Sequence, residues 1–394
     1  RRSWLSLPRG PLMTPIRRVA ALMLAPVLLL APPAHAEAPC GVPAQLADGW
    51  PVSTPESVGF NGTRFCGIAA RLKAADANVH SVVIVRHGKL VFEQYFSGYD
   101  NPWDKMDGRY DFDAATLHDM RSISKSVTSL LLGIAIDRRL IASADELVLK
   151  FLPDYAGAAA AGWERVTLRH LLTMSSGIAW DENRPWADPR NDEYRLYDEP
   201  DPVRYVLSKP GVAPPDTVWA YNGGGAQLIA TIIARAAKMP FEVFAREALF
   251  EPLGITEWEW KASKNGAIAA YAGLRLRPRD AAKLGQLVLN GGAWTGKRII
   301  SKDWITQSIK PRFQAGGYFG GLFFYGYQWW MGRTLSGERE VPWIAGVGRG
   351  GQRLFIVPSA DLVVMTTSGL YASPVQGQAA LDMLYSVIFP ALRN

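Results

Sequence analysis

The chain has 394 residues, 48% of them hydrophobic, with 43 basic and 36 acidic side chains and a formal net charge of +7. Five of the arginines and no acidic residue fall in residues 1–36, leaving 38 basic against 36 acidic residues and no support for nucleic-acid binding. Two cysteines, Cys40 and Cys66, have no metal-ligand spacing.

Arg17 and Arg18 precede an apolar run at 19–31, and Ala34-His35-Ala36 has the small-x-small form of a cleavage site. Residues 1–36 are therefore expected to be an export signal, with Met13 a candidate start. The run is too short to span a bilayer comfortably, and no later stretch reaches about 18 uninterrupted apolar residues. The expectation is an exported protein, periplasmic or secreted, with no membrane anchor after signal cleavage. In an oxidising compartment Cys40 and Cys66 are expected to pair; the alternative is two free thiols.

Residues 80–85 and 90–96, around Arg86-His87-Gly88-Lys89, predict a strand hairpin. Residues 117–120 lead into a helix opened by Ser122, on which Val127, Leu130, Leu131 and Ile134 form one apolar stripe. A short element at 147–152 ends at Pro153. Residues 166–174 predict a helix with Thr167 as N-cap and Gly177 as its stop. The polar, acidic, proline-containing stretch 181–205 reads as a long surface loop. Helices are predicted over 227–237, 241–249 and 278–289, paired strands over 353–357 and 362–367, and a last helix over 375–388. Strands at both ends and helices between them predict an α+β fold. Its antiparallel sheet is built from both chain ends and flanked by helices, with an inserted, mainly helical lobe. The expected division is one unit over 37–394, with an α/β lobe at about 37–115 and 265–394 and a helical lobe at about 116–264.

Ser122 stands three residues before Lys125 at a helix start, so hydroxyl and amine share one helix face beside unpaired N–H groups and a positive dipole. A capping serine with a solvated lysine gives the same spacing. Downstream, Tyr221 precedes Asn222 and three glycines, where a phenol can approach closely and relay a proton. Gly346-Val347-Gly348-Arg349-Gly350-Gly351-Gln352 enters a strand and offers a guanidinium and backbone N–H groups.

In this order the three segments resemble the serine β-lactamase and penicillin-binding protein superfamily. The likeness is to its class C β-lactamase branch, with family VIII esterases and 6-aminohexanoate-dimer (nylon oligomer) hydrolases. The family's Ser-x-x-Lys, Tyr-x-Asn and Lys-Thr-Gly or His-x-Gly correspond to Ser122–Lys125, Tyr221–Gly223 and Arg349–Gly351. Arg169-His170-Leu171-Leu172-Thr173-Met174-Ser175-Ser176-Gly177 is similar to the branch's RHLLTMTSG stretch. The segments at 273–280, 326–330 and 350–352 are similar to others. The likeness runs from about residue 76 to the end. It implies a β-lactamase/transpeptidase-like fold and catalysis by Ser122, Lys125 and Tyr221. It also implies an oxyanion hole from the N–H groups of Ser122 and Gln352, and no cofactor or metal.

Two departures matter. Gly223 replaces the asparagine that helps β-lactamases hold the substrate amide, with Asn222 next to it. Arg349 replaces the third motif's Lys or His; it keeps a cation, cannot act as a base, and can hold a carboxylate. Lys125 is expected to be neutral through burial and a nearby cation, with Lys125 or Tyr221 as formal base. Substrate contacts are expected from Arg349, Gly350, Gly351, Asn222, Trp180 and Asp181. Trp180, Trp219, Trp329 and Trp330 line an acyl pocket or pack the core. Asp181 and Glu182 attract an amine-bearing substrate or form a solvated loop. No Gly-x-Ser-x-Gly, His-Glu-x-x-His, Cys-x-x-Cys or P-loop pattern occurs, and His80, His87, His118 and His170 sit in no triad-like context. The expected activity is hydrolysis of a small ester or linear amide through an acyl-enzyme. The alternatives are a β-lactamase, a D-amino-acid carboxypeptidase and a non-catalytic penicillin-recognising protein.

Overall fold

Val82 and Ile84 belong to one apolar core and Val83 and Val85 to another, the period-two division of a strand buried on both faces. This strand, β1 (Val79–Arg86), belongs to a computed structural model that describes residues 40–103, 105–315, 323–373 and 375–393. The expected leader at 1–36 lies outside the described residues. β1 pairs antiparallel with β2 (Lys89–Tyr95) across the expected hairpin, and with β15 (Leu362–Ser368) from the far end of the chain. The sheet continues antiparallel through β14 (Gln352–Val357), β13 (Arg339–Gly348), β12 (Trp330–Ser336), β11 (Phe324–Tyr325) and β10 (Phe313–Gln314). Eight strands from both chain ends thus make one sheet.

One face carries α8 (Pro278–Leu289), close because Gly285 has no side chain; a Cβ there would stand 2.7 Å from Val363 and 2.9 Å from Leu354. The other face carries α1 (Ile68–Ala74), α10 (Gln378–Met383) and α11 (Phe389–Ala391). The helix expected over 375–388 is α10 followed by a π-helical turn at Leu384–Ile388, and α11 lies beyond it.

The helix after Ser122 is α2 (Ile123–Asp137). Instead of one buried stripe, every residue from Ile123 to Ala135 is buried. Its polar face can be enclosed because the hydroxyls of Ser124, Ser126 and Thr128 find partners. Ser126 donates to the Gln328 carbonyl at 2.7 Å, Thr128 to that of Ala270 at 3.2 Å, and Ser124 accepts the Leu274 N–H at 3.1 Å. Around α2 lie α6 (Gly223–Ala237), α7 (Phe241–Ala245) and α9 (Lys302–Ser308). A short α3 (Leu168–Leu172) is capped at Thr167 as expected, with His170 completing a capping box.

Residues 181–205 are not a plain loop. They hold α4 (Asp192–Asp198) and α5 (Pro202–Leu207), each opened by a side-chain cap, Asn191 and Asp201. The polar residues that read as loop are these caps. Also unforeseen are three minor sheets; two are β3 (Gly98–Asp100) with β4 (Gly108–Tyr110), and β8 (Ala293–Trp294) with β9 (Lys297–Arg298). A third, β5 (His118–Asp119), joins β7 (Leu274–Leu276) and β6 (Trp258–Trp260) in a small sheet that feeds directly into Ser122.

Cys40 and Cys66 form a disulfide. Among the described residues no helix is long and apolar enough to cross a membrane. The segment after Cys40 is tied to the sheet and to α8 by Arg279. This guanidinium, 1% exposed, lies 2.6 Å from Asp48 and 2.9 Å from Glu93. Removing one member of such a cluster strands the others. Arg279→Met is expected to cost about 3–5 kcal/mol, read as a lower midpoint in urea unfolding.

Candidate active site

Ser122 occupies the N-cap position of α2, yet its hydroxyl makes no capping bond. The side chain is therefore available to Lys125 one turn on, whose Nζ donates to Ser122 Oγ at 3.0 Å and to the Tyr271 carbonyl at 2.9 Å. Lys125 is 1% exposed, so it is no solvated helix lysine. Arg121 immediately before Ser122 has φ +49°, a left-handed conformation that turns the chain sharply from β5 into α2.

Tyr221 completes the group. Its hydroxyl hydrogen-bonds with Ser122 and Lys125, and Lys125 Nζ lies 4.9 Å from the ring centre. The ring sits among Trp219, Tyr325 and Trp330, with centroids 5.9–6.2 Å away. Gly346 and Gly348 bring β13 across the start of α2. A Cβ on Gly346 would touch Ile123 at 3.4 Å, and one on Gly348 would stand 2.3 Å from the Met120 carbonyl. The turn that follows begins with Arg349, which lines the same cavity as Ser122.

The electrostatics differ from expectation. Burial alone pulls Lys125 downward, but Tyr221, Glu193 and Glu182 outweigh it, and its pKa is raised. Tyr221 is raised as well, by burial first, against the opposing pull of Lys125. Both shifts disfavour loss of a proton from the Lys125–Tyr221 pair, where a neutral Lys125 was expected. Glu182 is pushed well up, by burial and then by Glu193, with which it shares a hydrogen bond. The shift favours the protonated form of Glu182 beside Glu193.

Ser122 opens into a cavity of about 560 Å³ lined by Trp103, Trp186, Tyr99, Tyr371, Arg121, Arg349, Asp107 and Glu193. The sequence model of the Beta-lactamase family matches residues 68–383. The chain belongs to this family. It is a β-lactamase-like serine hydrolase. The 6-aminohexanoate-dimer hydrolase of Paenarthrobacter ureafaciens is 22% identical over 329 residues, 78% of this chain and 76% of that protein. In structure, the chain is similar to EstCE1, a hydrolase with promiscuous acyltransferase activity. That likeness has TM-score 0.64 and 15% identity, and covers 86% of this chain and 99% of EstCE1. A family VIII carboxylesterase gives TM-score 0.62 and 16% identity over 81% of this chain and 95% of its own. At these identities the two structural likenesses are of fold.

Against that family frame, several substrate residues expected from sequence have other roles. Asn222 is 4% exposed and caps α6, its Oδ1 accepting the Gly225 N–H at 3.0 Å. The glycines after it form the first turn of α6 rather than a flexible loop. Trp180 lies outside the cavity lining; its indole donates to Glu182 at 2.7 Å. Asp181 pairs with Arg184 at 2.8 Å and also lies outside the lining. Trp329 and Trp330 are buried in the cores. Arg349 does line the cavity, held by a bond from Nε to the Tyr371 carbonyl at 3.1 Å. Gly350 is required there, since at φ +95° a Cβ would stand 2.5 Å from the Tyr371 ring.

Glu193, Trp103 and Trp186 were missed, having no motif around them. Glu182 proves specific in another way. It accepts the Gly223 N–H, and its Oε1 stands 3.3 Å from where a Cβ on residue 223 would be. The carboxyl thus fills the space beside Gly223 where the family's asparagine side chain would begin. Because its protonated form is favoured, Glu182→Gln is expected to keep fold and esterase activity within a few-fold. Glu182→Ala orphans the buried Gly223 N–H and is expected to cost about 1–3 kcal/mol. Thermal melts of the two variants side by side check this.

Proposed function

We propose that the chain is an exported hydrolase that cleaves a small ester or linear amide through an acyl-enzyme on Ser122. The observation that carries this is the Lys125 Nζ–Ser122 Oγ contact of 3.0 Å at the mouth of the aromatic-lined cavity. Loss of one proton from the Ser122–Lys125–Tyr221 set primes the site. Ser122 Oγ then bonds to the acyl carbon, and the carbonyl electron pair moves to oxygen, facing the N–H groups of Ser122 and Gln352. Collapse expels the alcohol or amine, which takes its proton back from Lys125 or Tyr221. Water repeats the sequence and frees the acid.

Export is supported by the arginine-then-apolar leader and by the Cys40–Cys66 disulfide, which suits an oxidising compartment. Ester or linear-amide substrates rank above β-lactams because Glu182 occupies the space beside Gly223, where the family's amide-holding asparagine would reach. Nitrocefin turnover is accordingly expected to fall well below that of p-nitrophenyl butyrate.

The deciding experiment is labelling by a fluorophosphonate together with p-nitrophenyl butyrate turnover. An adduct on Ser122, and loss of turnover by at least about 10³-fold in Ser122→Ala, is the expected result. Folded protein without an adduct would remove Ser122 as nucleophile, and an adduct without turnover would make the chain a binding protein.

The pH profile tests the base. Lys125 and Tyr221 are both raised, so the deprotonated, reactive set accumulates only as pH climbs, and kcat/KM is expected to rise into the alkaline range. Glu193→Gln removes a negative charge that holds the proton in place, so the rise should move to lower pH. An unmoved profile would show that the carboxyl pair does not act on the reacting proton.

A further inference from the structure

His80 on β1, Asp100 at the end of β3 and His118 on β5 meet behind the cavity wall, with 0%, 3% and 1% exposure. Each imidazole turns its outer nitrogen to a backbone carbonyl. His80 Nε2 lies 3.0 Å from the Tyr99 oxygen, and His118 Nδ1 lies 3.1 Å from that of Asp119. The inner nitrogens, His80 Nδ1 and His118 Nε2, face one another at 2.8 Å. These three contacts require three protons, and two neutral imidazoles carry two.

With both outer N–H groups given to carbonyls, two lone pairs point at the same place. Asp100 borders it, with Oδ2 3.9 Å from His118 Nε2, while Oδ1 accepts the Tyr371 hydroxyl at 2.9 Å. All three potential ligand atoms lie within 4.8 Å of one another. The adjacent Asp119 is already offset by Arg275 at 2.7 Å and Arg121 at 3.1 Å.

We propose that His80, His118 and Asp100 form a structural site for a zinc ion. Two nitrogens and a carboxylate oxygen are donors that suit zinc, with bonds of about 2.0–2.2 Å, so ligand atoms of a tetrahedral site stand about 3.4 Å apart. Reaching that geometry requires the His80–His118 contact to open from 2.8 Å and the His118–Asp100 contact to close from 3.9 Å, each by about half an ångström. Carbonyls that accept from the outer ring nitrogens are the arrangement that fixes tautomer and orientation in metal-binding histidines. The surroundings are equally set. Phe112 stacks on His80 at 4.1 Å. Gly98 and Gly369 let the backbone close on its edge, where a Cβ would come within 2.6 and 2.9 Å of the ring. The ion would join β1, β3 and β5, and so brace the strand that delivers Arg121 and Ser122. No sequence motif marks the site because its ligands come from three separate strands.

The test is independent of the reaction assigned to Ser122. The full-length protein, purified without chelator, is assayed for metal by mass spectrometry. It is then stripped and titrated with Zn²⁺ and Co²⁺ while its melting midpoint and visible absorption are followed. About one zinc per chain, a midpoint that rises on re-addition, and cobalt d–d bands of a tetrahedral site are expected. Asp100→Asn and His118→Gln should bind at least about 10-fold more weakly. Substoichiometric uptake without a cobalt spectrum in folded wild type would overturn the proposal, as would uptake unchanged in both variants. If neither variant folds, the wild-type stoichiometry and cobalt spectrum decide the matter alone.

Discussion

A buried ammonium at the first turn of α2 organises the active side of this protein. Lys125 is almost fully enclosed, and an unpaired charge in that position is disfavoured by several kcal/mol. Ser122 from the same turn and three distant segments converge to satisfy it: the Tyr271 carbonyl, Tyr221 ahead of α6, and the carboxyl pair from residues 181–205. Each of these positions something else in turn. The same requirement that settles the charge therefore sets nucleophile, phenol and cavity wall in fixed relation.

The rigidity behind this comes from α2 itself. A helix enclosed on every side cannot rock about its axis, and its Ser126 and Thr128 hydroxyls reach carbonyls of neighbouring segments. The eight-stranded sheet provides one of those neighbours through β13, whose glycines permit contact at backbone distance. Close packing here serves orientation more than stability, since catalytic groups lose effect with displacements of about an ångström.

What could be read beforehand was whatever chemistry is local in sequence. Ser122 and Lys125 lie one helical turn apart, Thr167 caps its own helix, and the Gly88 hairpin joins adjacent strands. Interactions assembled from remote segments were not legible. The raised pKa of Lys125 depends on Glu182 and Glu193, which lie in a stretch whose capping residues, Asn191 and Asp201, resemble loop composition. The cap at Asn222 was hidden for a related reason: an asparagine before glycines reads as a flexible recognition loop until its oxygen is seen capping α6. The small sheet formed by β5, β7 and β6 is too short to leave a periodic signal, although it aims the chain into Ser122.

The division of labour between α2 and residues 181–205 has a consequence for how this enzyme can diverge. The nucleophile and its lysine sit at the start of a helix where almost any change disrupts the core. The charges that set their proton affinities sit on a surface-lying segment held by two short capped helices. Substitution there can retune the working pH, and reshape the wall formed by Trp186 and Glu193, while every motif residue stays in place. Lineages of this fold can thus drift toward new acyl groups and new environments along a path that leaves the nucleophile's identity untouched.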